Sequence, residues 1–267
     1  DWADGFHNGI PAGAEEGNST LLTLTYAKAL QDAVSLYSSL NKPFEAAECM
    51  KKYQLIKKGI NTLCFDTSKG LYADTPAKNI FSQHANVMAL LSDVAPAKTQ
   101  TQLMEKVLAD TSLIQCTLYY KFYLMRALQK LKMGEKYFDQ LGTWEAMLNL
   151  GLTTFPEKES KTNWEADTRS DCHGWSASVC YDFLSIICGV NPSSPGFKTI
   201  EIAPSPGELK HVEGSMPHPE GMITIDLNFN GNQVKGMIKL PETVTGKFVW
   251  NGKKTTLKGG MQTIVLK

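Results

Sequence analysis

The chain has 267 residues, 42% hydrophobic and 20% charged, with 27 Lys+Arg against 27 Asp+Glu. That is enough for a real core in one large or two modest domains. The balanced charge gives no support for a nucleic-acid or anionic-membrane partner, and no run of about 18 apolar residues could span a bilayer.

A neutral or polar ligand suits this balance better than a polyanion. The first residues, Asp1-Trp2, carry neither an initiator Met nor a leader, so the chain reads as the continuation of something upstream. The six cysteines, Cys49, Cys64, Cys116, Cys172, Cys180 and Cys188, form no CxxC pair, which excludes a zinc ribbon or thioredoxin-type motif. They are expected to be buried thiols acting as small hydrophobes.

Residues 18–40 repeat Leu21, Leu22, Ala29, Leu30, Ala33, Val34 and Tyr37 at helical spacing, after the cap candidates Asn18-Ser19-Thr20. Pro43 follows, and a second helix is predicted over 44–64. DTSKGLYADTP, 66–76, reads as a loop. Helices are then predicted near 82–91, 99–109, 113–131 and 134–149, with Gly151 beyond the end of the last of these. A final helix is predicted over 171–188, stopped by Gly189 and Pro192.

That gives about seven helices with short or medium links, which pack as αα-hairpins. Several are apolar around more than half their circumference and require neighbours on two sides, as in a barrel or toroid. NPSSPGF, 191–197, marks a change of composition. Short alternating runs follow at 199–203, 222–229, 233–240, 247–250 and 263–266, with Asn230-Gly231 and Asn251-Gly252 as hairpin signals. The fold class is therefore mainly α with a C-terminal β domain, divided 1–192 and 193–267, the second part being a small antiparallel β-sandwich.

Two regions concentrate polar and aromatic residues outside the predicted helices. The first, DWADGFHNGIPAGAEEGN, sets Asp1, Asp4, Glu15 and Glu16 beside Trp2, Phe6 and His7. Sugar sites need this mixture, because aromatic faces cover C–H bonds while charged groups grip hydroxyls. The same residues also read as a solvated loop, since carboxylates ahead of a helix are favourable in themselves. The second, 151–178, holds Glu157, Glu159, Trp164, Glu165, Asp167, Asp171, His173 and Trp175 in a link longer than packing requires. His173 and Trp175 fall at the predicted start of the last helix, where free N–H groups face acceptors. His173 also reads as a capped, satisfied histidine.

GLTTFPE, followed by TRSDCHGWSASVCYDFLSIICGVNPSSPGFKTIEIAP, resembles the C-terminal signature of the inverting α-L-rhamnosidases. DWADGFHNGIPAGAEEGN resembles their mid-barrel loop, and DTSKGLYADTPAKNIFSQHANVMALL fits the same pattern, in order along most of the chain. The resemblance implies part of an (α/α)6 six-hairpin barrel followed by the β domain, and hydrolysis of terminal α-L-rhamnosyl residues. That chemistry requires no cofactor, and no HExxH or EF-hand string supports a metal, though a bound cation stays open. It implies Glu157 as general base, in a Thr-Thr-x-x-Glu segment where many relatives have Trp and this chain has Pro156. It assigns substrate contacts to Asp1, Trp2 and His173, with Asp171 and Trp175 lining or supporting the site.

Inverting hydrolysis also needs an acid, with the two carboxyls roughly 6.5–9.5 Å apart. The family's acid lies in an upstream string resembling Arg-Asp-Glu-Arg, which this chain lacks. A complete barrel has about twelve helices, so the expected partner besides a rhamnoside is the N-terminal remainder of a parent enzyme, and the chain alone is expected to be inactive. The compartment is expected to be periplasmic, extracellular or cytoplasmic in a bacterium.

Three other readings stay open: a non-catalytic carbohydrate-binding or scaffold module, a degenerate enzyme, and a related barrel hydrolase or lyase. Arg126 and Arg169 are the only arginines, which weighs against a polyanionic uronic acid.

Overall fold

A computed structural model describes residues 1–159 and 168–267, which form two compact units. The first comprises 1–131 and 154–176, and the second 132–153 and 177–267. Among the described residues no helix is long and apolar enough to cross a membrane.

In the first unit α1 (Thr20–Ser39) begins at Ser19, whose hydroxyl accepts from Leu22 N, and α2 (Pro43–Leu63) begins with Pro at its first position. The two pack as an αα-hairpin. The 66–76 segment, expected to be a loop, holds a small antiparallel ribbon of β1 (Phe65–Asp66) and β2 (Leu71–Tyr72). Asp66 makes its turn by accepting from Ser68 N and Lys69 N at 2.8 and 3.0 Å.

Helix α3 (Gln83–Leu91) is capped by Ser82 and is buried from Gln83 to Leu90. It touches α1, α4 (Gln100–Ala109) and α5 (Leu118–Lys130), so it is enclosed all round, and its buried polar side chains Gln83, His84 and Asn86 are hydrogen-bonded. Asp93, just beyond α3, accepts from Gln31 of α1, Gln100 of α4 and Lys130 of α5. Helix α5 starts at Leu118, not at 113, because Ile114 bridges Ser82 in parallel, bonded to Phe81 O and Gln83 N.

In the second unit the helix predicted over 134–149 is two 3-10 turns followed by α6 (Gly142–Asn149). The predicted last helix is also broken. A 3-10 turn at Gly174–Ala177 precedes α7 (Ser178–Asp182), and a π-helical turn follows at Phe183–Ile187. Ser185, Ile186 and Ile187 of this turn are buried.

Eight strands complete the unit: β3 (Val190–Pro192), β4 (Thr199–Ile202), β5 (His211–His218), β6 (Gly221–Asn230), β7 (Gln233–Leu240), β8 (Thr245–Trp250), β9 (Lys253–Leu257) and β10 (Gly260–Leu266). They form two four-stranded sheets, ordered β10-β7-β6-β5 and β3-β4-β8-β9. The expectation of a wholly antiparallel sandwich needs correction, since β4 and β8 run parallel. After β4 the chain leaves to build β5–β7 in the other sheet, then returns in its original direction. Ile200, Ile202, Phe248 and Leu257 of one sheet and Ile225, Leu227, Val234 and Ile238 of the other are buried.

The cysteine expectation holds for Cys64, Cys116 and Cys188, which are buried and free. Cys172 and Cys180 are exposed, the first in the loop before the 3-10 turn and the second on the outer side of α7.

Candidate functional site

The site lies within the first unit, where the segment around Glu157 is fixed by its own backbone. Glu157 N donates to Ser170 O at 2.7 Å, and His173 N donates to Phe155 O at 2.7 Å. Ser176 Oγ donates to Pro156 O, and Trp175 Nε1 donates to Glu157 O at 2.8 Å. Three successive carbonyls are thus held by one neighbouring stretch, so a loop without regular structure has the main chain of Glu157 fixed. Pro156 lacks an N–H and loses nothing here, because only its carbonyl is engaged.

The Glu157 side chain is 13% exposed, against 53% for Arg169 and 30% for His173. Its Oε1 accepts from Trp2 Nε1 at 3.0 Å and from Arg169 Nε at 3.0 Å. Its Oε2 lies 4.0 Å from His173 Nε2. The Arg169 guanidinium also covers the Trp2 ring, 4.3 Å from its centroid. Arg169 holds this place with a φ of +65°, uncommon for a residue with a side chain.

His173 stacks on Trp175 with ring centroids 4.0 Å apart and planes at 29°, and Trp175 in turn meets Tyr119 at 4.9 Å. His173 precedes the 3-10 turn; it does not open an α-helix as expected, so the free N–H groups of a helix terminus are not what it brings.

Of the predicted residues, the structure brings together Trp2, Glu157, His173 and Trp175. Asp171 is exposed and ties the loop, its side chain accepting from Thr168 Oγ1 and its carbonyl from Thr154 Oγ1. Asp1 lies beneath the surface. Its carboxylate is 1% exposed and accepts from Thr117 N at 2.9 Å, from Thr117 Oγ1, and from His84 Nε2 at 2.7 Å. Since a carboxylate only accepts here, Nε2 carries the imidazole proton. Burial pushes His84 down to about 3, so it is neutral near pH 7. Asp4, Glu15 and Glu16 are exposed in the opening loop. Trp164, Glu165 and Asp167 lie outside the described residues.

Sequence reasoning did not assign roles to Arg169, Thr117, His84 or Tyr119. Arg169 carried a signal, as one of two arginines and within the loop that holds Glu157. His84 lies within the DTSKGLYADTPAKNIFSQHANVMALL string but, like Thr117, is distant in sequence from Asp1, and nothing local pairs them.

Two family models match the chain. Residues 1–187 match the bacterial α-L-rhamnosidase six-hairpin glycosidase domain, and residues 189–264 match the bacterial α-L-rhamnosidase C-terminal domain. A rhamnosidase from Bacillus sp. GL1 is similar at 26% identity with a TM-score of 0.78, covering 91% of this chain and 27% of that one. An α-L-rhamnosidase from Streptomyces avermitilis, solved with L-rhamnose, shares 17% identity with a TM-score of 0.77, over 92% of this chain and 26% of that one. The enzyme from Aspergillus terreus shares 17% identity with a TM-score of 0.74, over 88% of this chain and 29% of that one. The last two speak for the fold alone. The chain thus spans little more than a quarter of the length of these solved relatives. No curated protein matches it.

Proposed function

This chain belongs to the bacterial α-L-rhamnosidase six-hairpin glycosidase family, and on that premise we propose that it is the C-terminal part of an inverting glycosidase acting on terminal α-L-rhamnosyl residues. The observation that carries the reading is Glu157, a carboxylate 13% exposed, with one oxygen bound by Trp2 and Arg169 and the other facing His173. Two donors on Oε1 set the plane of the carboxylate and leave the Oε2 lone pairs to accept a proton.

In this mechanism Glu157 Oε2 takes a proton from water as that water attacks the anomeric carbon. A general acid outside this chain protonates the departing oxygen. Trp2 and the stacked His173–Trp175 pair supply flat apolar faces for the sugar ring, and His173 supplies a donor for a hydroxyl. Asp1 supports the site from beneath. The chemistry requires no cofactor.

The acid would belong to an N-terminal remainder of the protein, packed with residues 1–192, while 193–267 form a non-catalytic β domain. Leu22 and Leu36 on α1, Leu40 just beyond it, and Phe44, Leu55 and Leu63 on α2 are exposed. Such apolar surface suits burial against further helices of the barrel.

The test is turnover of p-nitrophenyl α-L-rhamnoside by the longer protein and by this chain, each with and without Glu157→Gln. The longer protein is expected to lose about 10²–10⁴-fold in kcat with the substitution, and this chain is expected to show no turnover. Turnover by this chain alone would place both carboxyls within it. An inert longer protein would favour a binding or degenerate role.

A further inference from the structure

Trp2 lies in an opening loop that has no helix or strand to hold it, and Gly5, Asn8, Gly9, Gly13 and Gly17 all have positive φ there. Its indole nevertheless reaches Glu157 across 155 positions of sequence. The neighbouring residue, Asp1, is anchored by three donors from two helices: Thr117 N and Oγ1 at the start of α5, and His84 Nε2 in the first turn of α3. The His84 ring is itself held between Phe6 and Tyr120, with centroids at 4.6 and 4.5 Å.

We infer that Asp1, Thr117 and His84 form a positioning clamp that holds the Trp2 indole N–H on Glu157 Oε1 and so fixes the orientation of the carboxylate. This rests on reading Glu157 as the base.

The physical basis is strong where the clamp sits and weak where Trp2 sits. A carboxylate at 1% exposure is stable as an anion only when its oxygens are paired, and these are. The carboxylate also caps the positive end of α5, since it accepts from the backbone N–H of the N-cap residue Thr117. Breaking one bond leaves a buried charge short of a donor, so the side chain must protonate or leave. Either way the peptide between Asp1 and Trp2 moves. By contrast, Trp2 itself has one hydrogen bond to Glu157 and the half-exposed Arg169 guanidinium over its ring, contacts at the edge of solvent with less power to order a loop than a buried charge held by three donors. The ordering therefore runs from the clamp to Trp2 and on to Glu157. None of the three clamp residues needs to touch substrate.

The measurement is hydrogen exchange of the Trp2 indole N–H in the ¹⁵N-labelled 267-residue chain, with the resonance assigned by Trp2→Phe. Asp1→Asn, His84→Phe and the near-isosteric Thr117→Val are each expected to speed exchange at least about fivefold and to shift the resonance. Thr117→Ser, which keeps the hydroxyl, is expected to restore the original behaviour. Far-UV circular dichroism identifies variants that keep the fold, and Thr117→Val gives the decisive comparison should a buried-charge variant fail to fold. An unchanged Trp2 resonance in folded Thr117→Val and His84→Phe would overturn the clamp, whatever Glu157→Gln does to turnover. Faster exchange in these variants, with turnover of the longer protein intact in Glu157→Gln, would sustain the clamp and reject the base assignment.

Discussion

Asp74 shows how a single buried group couples this fold to pH. It has no exposed surface, its Oδ1 accepts from Ser82 Oγ at 2.6 Å, and its Oδ2 has no partner among the described residues. Burial pushes its carboxyl from the ordinary 3.8 up to about 6. The folded chain therefore holds this proton more tightly than the unfolded chain, and stability falls as pH rises from about 4 to about 6. A difference of that size corresponds to roughly 3 kcal/mol at neutral pH. Asp74→Asn keeps an oxygen for Ser82 and cannot ionise. It is expected to be more stable than the original chain at pH 7, with the advantage fading as pH falls to 4, as read from urea melts at each pH. An advantage that stays constant with pH would show that ionisation is not its source. His84 works in the opposite sense, since its neutral form is favoured in the fold and stability is lost as pH falls below about 6.5.

At the scale of elements, local chemistry was readable where turns and caps carry it, and obscure where tertiary context decides. Asn251-Gly252 forms a two-residue hairpin loop, with Trp250 paired to Lys253 and φ of +48° and +77°, as the dipeptide predicts. At the other signal Asn230 pairs with Gln233, so the loop is Gly231-Asn232, one residue later than the dipeptide itself. Strand β5 escaped notice because its buried residues, Val212, Met216 and His218, are interleaved with Gly214 and Pro217. Strand β9, KKTTL, buries Leu257 alone. The two broken helices kept their apolar periodicity in sequence while packing imposed 3-10 and π turns.

Two glycines separate the causes of backbone demand. Gly252 needs only its positive φ, with nothing within 4 Å of an added Cβ, whereas Gly189 has φ +73° and would put a Cβ 2.2 Å from Ala203 C. Gly252→Ala is expected to cost about 1 kcal/mol and Gly189→Ala more than about 2 kcal/mol, compared by thermal melts of the two variants. Equal losses would mean that backbone overlap at Gly189 adds nothing.

At the scale of the molecule, the order of helices followed by strands was legible because hydrophobic periodicity changes from 3.6 to 2 near residue 190. The site was legible in part. Trp2, Glu157, His173 and Trp175 were singled out by resemblance and do converge, whereas Asp1 is turned to Thr117 and His84, which no local pattern could announce. Long-range pairings such as Trp2 with Glu157 are set by how helices pack, and one sequence carries no direct record of them. The exposed apolar residues of α1 and α2 are the surface on which the proposed further helices would pack.

The most direct test of the account is azide rescue of Glu157→Ala in the longer protein, with an activated aryl α-L-rhamnoside as substrate. Removing the carboxylate opens space for a small anion that needs no deprotonation. If Glu157 activates water for inverting attack, hydrolysis falls and added azide restores release of the aryl group, giving β-L-rhamnosyl azide by NMR of the anomeric proton. Undiminished hydrolysis without azide, or an α-configured azide product, would contradict the assignment of Glu157 as the base of an inverting enzyme.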